Sequence, residues 1–159
     1  MLKTINTKGI FSPYELSIRY LALRARSVKE MRLYLAKKGF DEEVIQQTLS
    51  KLKDENLLSD QQFASMFVEQ RERFKPKSKF ALAFELKQKG VDPATIDSSL
   101  SEVDEYSSAL SAVEPKLRLW QNYEPELLKK KVMSFLRNRG FSYDVCISTF
   151  NKIIINFLN

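Results

Sequence analysis

The sequence has 159 residues, of which 43% are hydrophobic and 29% are charged, a composition typical of a soluble folded protein. It contains no histidine and one cysteine, which excludes Ser-His-Asp and Cys-His catalysis, an internal disulfide and a zinc site built from the usual nitrogen and sulfur ligands. The 26 basic residues outnumber the 20 acidic ones, and the resulting formal charge of +6 indicates a polyanionic or acidic partner.

The N-terminal stretch, residues 1–12, lacks the apolar run of a secretory signal, and we expect it to be a flexible segment. No part of the sequence approaches the roughly eighteen consecutive apolar residues of a membrane span. The sequence therefore predicts a cytoplasmic protein without a membrane partner.

A short motif occurs three times, at residues 35–49, 86–100 and 136–150, as LAKKGFDEEVIQQTL, LKQKGVDPATIDSSL and LRNRGFSYDVCISTF. Its glycines, Gly39, Gly90 and Gly140, lie about fifty residues apart. This period predicts three tandem repeats of three helices each, at residues 13–58, 59–103 and 104–159. No segment alternates with a period of two, so the predicted fold class is all-α.

In the first repeat, a helix is predicted from Pro13 to about Arg26. Ser27 and Glu30 form a capping-box pattern that begins the second helix. Gly39 is predicted to end that helix in the left-handed conformation, and Asp41 to cap the third. The apolar spacing predicts a buried face made of Val28, Met31, Leu35, Ile45, Thr48, Leu49 and Leu52.

In the second repeat, Ser59 or Asp60 opens a helix, and Pro76 separates it from a helix over residues 80–89. Asp92 is predicted to cap the third helix, with Pro93 as its first residue. The apolar positions assigned to these helices are Phe63, Met66, Phe67, Phe80, Leu82, Ala83, Leu86, Ile96, Leu100 and Val103.

The third repeat is predicted to begin near Asp104, with Pro115 kinking or shortening its first helix. Glu124 and Pro125 begin the second helix, and Ser142 caps the last. The β-branched run at residues 153–158 could form a strand, but without a partner strand it is predicted as the buried end of a helix. The assigned apolar positions are Leu110, Val113, Leu117, Val145, Thr149, Phe150, Ile153 and Phe157, and Cys146 is predicted to be a buried hydrophobe rather than a reactive thiol.

Basic residues concentrate in the first two helices of each repeat and in the turn between them. The candidate contact residues are Arg19, Arg24, Arg26, Lys29, Arg32, Lys37, Lys38, Arg73, Lys75, Lys77, Lys79, Lys130, Arg137 and Arg139. For a single cluster, a solvated face with salt bridges is the better interpretation, but the recurrence in three repeats favours a binding stripe. Aromatic residues interleave poorly with these charges, which favours contact with a phosphate backbone over stacking on bases.

Catalysis and nucleotide binding have no support in the sequence. No carboxylate pair stands out as a general acid and base, and Gly39 lacks the GxxxxGK[ST] pattern of a phosphate-binding loop. We therefore predict no catalytic residue, no cofactor and no metal.

The string LRARSVKEMRLYLAKKGFDEEVIQQTLSKLKDENLLSDQQFASMFVEQR, followed by ELKQKGVD and FLRNRGFSYDV, resembles the RecX family of regulatory proteins over residues 14–150. This resemblance implies three tandem three-helix repeats in an elongated, curved array of right-handed type. It also implies a cytoplasmic modulator that binds the filament of RecA recombinase on single-stranded DNA, lies in its groove, and mainly inhibits recombinase, ATPase and co-protease activity in DNA repair and the SOS response.

The resemblance assigns partner contact most readily to Arg24, Arg26, Arg32, Arg137 and Arg139. Many family members carry Gly-Pro and an arginine-rich stretch in the second repeat, where this sequence reads KSKFALA at residues 77–83. Lysine keeps the charge but cannot make the bidentate contacts of arginine. We expect a monomer that binds free DNA at most weakly. The alternative function is a helix-turn-helix DNA-binding transcription regulator, since short helices joined by tight turns resemble that motif.

Overall fold

The computed structural model describes residues 11–158, and every regular element in that range is a helix. The helices are α1 (Pro13–Leu23), α2 (Val28–Lys37), α3 (Glu42–Asp54), α4 (Asp60–Phe74), α5 (Lys79–Gln88), α6 (Pro93–Leu100), α7 (Glu105–Trp120), α8 (Pro125–Asn138) and α9 (Tyr143–Leu158). The predicted all-α class is confirmed. Residues 1–10, most of the segment predicted to be flexible, lie outside the described part of the chain.

Side chains that cap helices set most of the helix starts. The Ser27 hydroxyl accepts from the Glu30 amide at 3.1 Å, and the Glu30 carboxylate accepts from the Ser27 amide at 3.0 Å, which confirms the predicted capping box. Ser12 and Glu15 form a second box of the same kind. The side chains of the other capping residues accept from amides two or three positions along the chain; these residues are Asp41, Ser59, Ser78, Asp92, Asp104 and Ser142.

The three motif glycines share one local geometry. Gly39, Gly90 and Gly140 have φ angles of 92°, 82° and 88°, which lie in the left-handed region where other residues are strained. At each turn the glycine amide donates to the carbonyl three residues back, and the amide of the following apolar residue donates to the carbonyl of the motif leucine five residues back. This is the Schellman motif, which is frequently accompanied by a hydrophobic contact between the two residues of the longer bond. The residues that the three copies of the motif share are therefore those that end a helix.

Contacts between residues divide the described part of the chain into two units. The first unit contains residues 11–66 and 86–96, and the second contains residues 67–85 and 97–158. In the first unit α1, α2 and α3 enclose a core formed by Met31, Leu35, Phe40, Val44, Ile45, Leu49, Leu52 and Leu58. In the second unit α7, α8 and α9 enclose a core formed by Ala109, Ala112, Val113, Leu128, Val132, Leu136, Phe141, Val145, Cys146 and Ile153. The predicted burial of Cys146 is confirmed. The boundaries between the three repeats stay a prediction.

Helix ends differ from prediction in two places. α1 ends at Leu23 rather than near Arg26, because Arg24 has an extended backbone with φ −171° and ψ 166°. α7 continues past Pro115 to Trp120. Proline removes one amide donor, but buried Val113 before it and half-buried Leu117 after it pack on the core and hold the helix together.

Three residues predicted to be buried are exposed instead. Met66 is 57% exposed, Phe80 is 80% exposed, and Ile155, in the helical C-terminal run, is 58% exposed. In α5, Leu82 and Leu86 form the buried face, and a residue two positions away on a helix points to the opposite side. Ile155 likewise lies two positions after buried Ile153 on α9 and points to the opposite side. The C-terminal run is helical as predicted, and the Phe157 side chain lies outside the described residues.

Candidate binding surface

The glycine turn that follows α5 packs on the first turn of α2 within the first unit. Lys29 Nζ donates to the Gln88 carbonyl at 3.1 Å, and Lys89 Nζ contacts the Glu30 carboxylate at 2.8 Å. A Cβ added to Gly90 would lie 2.6 Å from the Lys29 Cβ. Gly90 is therefore required both for its backbone angle and for the close approach of these two turns. We call this contact the first joint.

The glycine turn that follows α8 makes the equivalent contact in the second unit, with the first turn of α5. The Ser78 amide donates to the Arg139 carbonyl at 3.1 Å, and the Arg139 guanidinium donates to the Pro76 carbonyl at 3.1 Å. A Cβ on Gly140 would lie 2.5 Å from the Ser78 hydroxyl oxygen. We call this contact the second joint. By contrast, a Cβ on Gly39 would lie more than 4 Å from every atom that could obstruct it in the described part of the chain.

The joints explain why a basic residue precedes each of the later two glycines. Lys89 and Arg139 both bind groups on the preceding repeat, so their recurrence has a structural role. Lys38, at the same position before Gly39, lies over the Tyr34 ring at 5.4 Å. The predicted contact residues Lys29 and Arg139 are thus joint residues, and the sequence could not separate this role from partner binding.

Glu30 is the central acceptor of the first joint. Besides Lys89, it binds Arg24, whose two terminal nitrogens lie 2.9 and 3.2 Å from its oxygens. Burial alone would raise the pKa of Glu30, but the hydrogen bonds from Arg24, Lys89 and the Ser27 amide outweigh it and lower the pKa to about 2. The hydrogen bond to Glu30 in turn raises the pKa of Arg24.

Several other predicted contact residues form ion pairs with neighbours. Arg32 pairs with Glu42, and Lys77 pairs with Glu85, which also binds Arg71 at 2.8 Å. Burial opposes ionisation of Glu85, but the hydrogen bonds from Lys77 and Arg71 prevail and lower its pKa.

Three more predicted contact residues lie over aromatic rings. The distances from the guanidinium carbon to the ring centre are 3.8 Å for Arg19 over Phe11, 3.7 Å for Arg26 over Tyr20 and 5.3 Å for Arg73 over Phe74.

The remaining predicted cations are the most available for a partner. Lys37, Lys75, Lys130 and Arg137 are exposed and make no ion pair with any other residue between 11 and 158. On α8, Lys130 and Arg137 are seven residues apart and share the face opposite the buried Leu128 and Val132. Exposed Lys87, which was not among the predicted contact residues, has the same properties on α5. Its position three residues before Gly90 matches Arg137 before Gly140, a signal that aligning the motifs would have supplied.

Exposed aromatic rings lie beside the basic segment of the second repeat, where the sequence interpretation assigned Phe80 to the apolar positions of the helix. Phe74, Phe80 and Phe84 are 72%, 80% and 56% exposed. The available signal was the spacing of α5, in which Leu82 and Leu86 occupy one face and Phe80 and Phe84 the other. In α5 the leucine face is buried and the phenylalanine face is exposed.

Within residues 11–158, no group of three or more acidic or cysteine side chains is placed to hold a metal ion. No helix in that range combines the length and hydropathy needed to cross a membrane.

Models of the first, second and third three-helix domains of RecX match residues 14–52, 59–100 and 102–148. The Regulatory protein RecX of Prosthecochloris aestuarii is 34% identical over 140 residues, which cover 88% of this chain and 92% of the relative. The Chlorobaculum tepidum protein of that name is 36% identical, over 87% of this chain and 86% of its own length. The crystal structure of RecX from Lactobacillus salivarius aligns with a TM-score of 0.75 at 20% identity, covering 90% of this chain and 95% of that one.

Proposed function

Because this chain belongs to the RecX family of regulatory proteins, we propose that it binds the filament of RecA recombinase on single-stranded DNA and restrains RecA activity. The observation that carries this proposal is the match of all three RecX domains, in order, over residues 14–148. The predicted absence of a catalytic site fits a regulator that acts by binding alone.

The proposed mechanism is occupation of the filament groove by a series of basic helices. The exposed cations that make no ion pair within residues 11–158, such as Lys37, Lys130 and Arg137, would contact DNA phosphates or acidic groups of RecA. Contacts from successive repeats add through effective concentration, because binding by one repeat holds the next near its own site. A bound chain would obstruct filament extension and strand exchange, and with them ATP hydrolysis and co-protease activity.

The expected binding unit is one chain. Each repeat supplies its own cations, so contact with successive RecA protomers needs no second copy. Sedimentation of the chain alone should give the mass of a monomer, and addition of the filament should transfer it to the fast-sedimenting fraction.

The activity test is the rate of ATP hydrolysis by RecA on single-stranded DNA, with this protein added below stoichiometric amounts. We expect the rate to fall, because one bound chain blocks extension beyond its own site. A rate that stays constant up to a molar excess would contradict the proposal. Since ATP hydrolysis by RecA depends on the filament, a pre-formed filament should lose activity more slowly than an assembling one.

A further inference from the structure

The part of helix α5 that belongs to the second unit, residues 79–85, presents an exposed aromatic face. Phe80 and Phe84 lie four residues apart and therefore share a face, while Leu82 and Leu86 on the other side are fully buried. The Phe80 side chain is 80% exposed. Large exposed rings that recur on one face are a feature of binding surfaces rather than of inert ones.

An open groove of about 330 Å³ lies beside Phe80 in the second unit. Its lining residues are Lys79, Phe80, Ala83, Asp97, Leu100 and Ser101. The groove thus combines an aromatic ring, an apolar floor, one cation, one carboxylate and one hydroxyl. Asp97 makes no ion pair with any other residue between 11 and 158, so its oxygens can accept hydrogen bonds from a ligand.

The chain segment that leads to the groove is basic. Arg73 and Lys75 precede α5, and Lys79, the first residue of α5, lines the groove. On α5 the Glu85 carboxylate is bound by Arg71 and Lys77, and the Glu105 carboxylate accepts from the Lys79 amide at 2.7 Å. A ring flanked by cations is the arrangement with which proteins bind single-stranded nucleic acid, the base stacking on the ring and the phosphates meeting the cations.

We propose that this groove binds one unstacked base of single-stranded DNA, with the base on Phe80, its phosphate at Lys79 and an N–H group of its Watson–Crick edge donating to Asp97. The proposal rests on the proposed function, since the RecA filament supplies the strand. A carboxylate accepts from the amino groups of cytosine, adenine and guanine and from the ring N–H groups of thymine and guanine, so Asp97 can accept from any of the four bases.

The first test measures the affinity of the full chain for fluorescein-labelled oligo(dC) of about 16 nucleotides, by fluorescence anisotropy at one fixed salt concentration. Phe80→Leu keeps an apolar side chain but removes the aromatic face, and should weaken binding about ten-fold. Phe80→Tyr keeps the face and should bind like the original chain. Because Phe80 is exposed, neither variant should change the melting temperature. Equal affinity of Phe80→Leu and the original chain would overturn the proposal, as would the absence of any binding to oligo(dC).

The second test concerns Asp97. Asp97→Asn and Asp97→Leu remove the same negative charge, but only the asparagine keeps an acceptor oxygen. Asp97→Asn should therefore bind oligo(dC) severalfold more tightly than Asp97→Leu, and equal affinities of the two variants would overturn the assignment of Asp97.

Failure of this inference can be distinguished from failure of the proposed function by measuring RecA ATP hydrolysis with the same variants. If the chain inhibits RecA while Phe80→Leu binds oligo(dC) normally, the groove assignment is wrong and the regulatory function stands. If oligo(dC) binding depends on Phe80 but RecA is unaffected by the original chain, the groove assignment stands and the regulatory function fails. Loss of RecA inhibition in Phe80→Leu with unchanged oligo(dC) binding would mean that the face binds protein, and would also overturn the inference.

Discussion

Gly39, Gly90 and Gly140 share one backbone conformation but not one set of neighbours. All three have φ near +90°, whereas only Gly90 and Gly140 have side-chain atoms where a Cβ would lie. Glycine is therefore needed for its backbone angle alone at position 39, and for both its backbone angle and its lack of a side chain at positions 90 and 140. The backbone requirement can be predicted from the motif, because a helix that stops and turns needs a left-handed residue. The steric requirement cannot, since it depends on a residue about sixty positions away in the chain.

Alanine substitutions at the glycines should separate these two requirements. Gly39→Ala incurs only the strain of a positive φ, about 1 kcal/mol of unfolding free energy. Gly90→Ala incurs the same strain together with overlap against the Lys29 Cβ, and should cost roughly 1–3 kcal/mol more. Urea unfolding of the two variants, followed by circular dichroism, measures the difference. Equal loss of stability would show that the first joint relaxes without cost.

Glu30 should make stability depend on pH at the acidic end. Its pKa in the folded chain is about 2, below its ordinary value of 4.5, so ionised Glu30 stabilises the fold above about pH 4.5. That stabilisation is lost as the pH falls from 4.5 towards 2. Glu30→Gln should cost about 1.5–3 kcal/mol at pH 7, because it weakens bonds from two cations. The difference between the two chains in urea unfolding should shrink steadily over this pH window.

Glu42→Gln is the matched control for that measurement. Glu42 also pairs with an arginine, Arg32, but it is exposed and its partner is held in solvent. Exposed ion pairs contribute little because water screens them. Its removal should leave the unfolding free energy nearly unchanged, and a loss as large as that of Glu30→Gln would contradict the assignment of Glu30 as the central acceptor of the joint.

Helices were predictable where their signals are local. A capping side chain binds a backbone amide only a few residues away, so the sequence shows both partners together. Ser27, Asp41 and Asp92 were therefore assigned correctly. Helix α5 was not predictable in the same way. It has apolar residues on both faces, and only packing decides that Leu82 points inward and Phe80 outward.

Core substitution in α2 tests the predicted buried stripe. Leu35 is fully buried in the first unit, whereas Leu33 on the opposite side of the same helix is 58% exposed. Leu35→Ala should lower the unfolding free energy by roughly 2–5 kcal/mol, because it leaves a cavity and removes apolar contacts. Leu33→Ala should change it by less than about 0.5 kcal/mol. Thermal unfolding monitored by circular dichroism compares them directly, and similar melting temperatures would contradict the core assignment.

The basic residues of the chain fall into two groups with different structural roles. One group of cations binds neighbouring residues, as Arg24, Lys89 and Arg139 do. The other group is exposed without an ion pair in the described residues and includes Lys130 and Arg137. Composition and motif spacing gave the total charge and its recurrence, but they could not separate these roles, because ion pairs and joints depend on residues that are distant in sequence.

These two roles predict that charge reversal changes the melting temperature at some basic residues and not at others. Arg24→Glu would place two carboxylates side by side at Glu30 and should lower the melting temperature. Lys130→Glu with Arg137→Glu removes no ion pair within residues 11–158 and should leave the melting temperature unchanged. A fall in melting temperature for the α8 pair equal to that for Arg24→Glu would show that its cations also serve the fold.

The most direct measurement is the affinity of the chain for RecA filaments assembled on immobilised single-stranded DNA, compared with the Lys130→Glu, Arg137→Glu variant at several salt concentrations. We predict that the original chain binds the filament, that its affinity falls as salt rises, and that the variant binds more weakly with a smaller salt dependence. Equal affinity and equal salt dependence of the two proteins, or no binding of the original chain to the filament, would contradict the account.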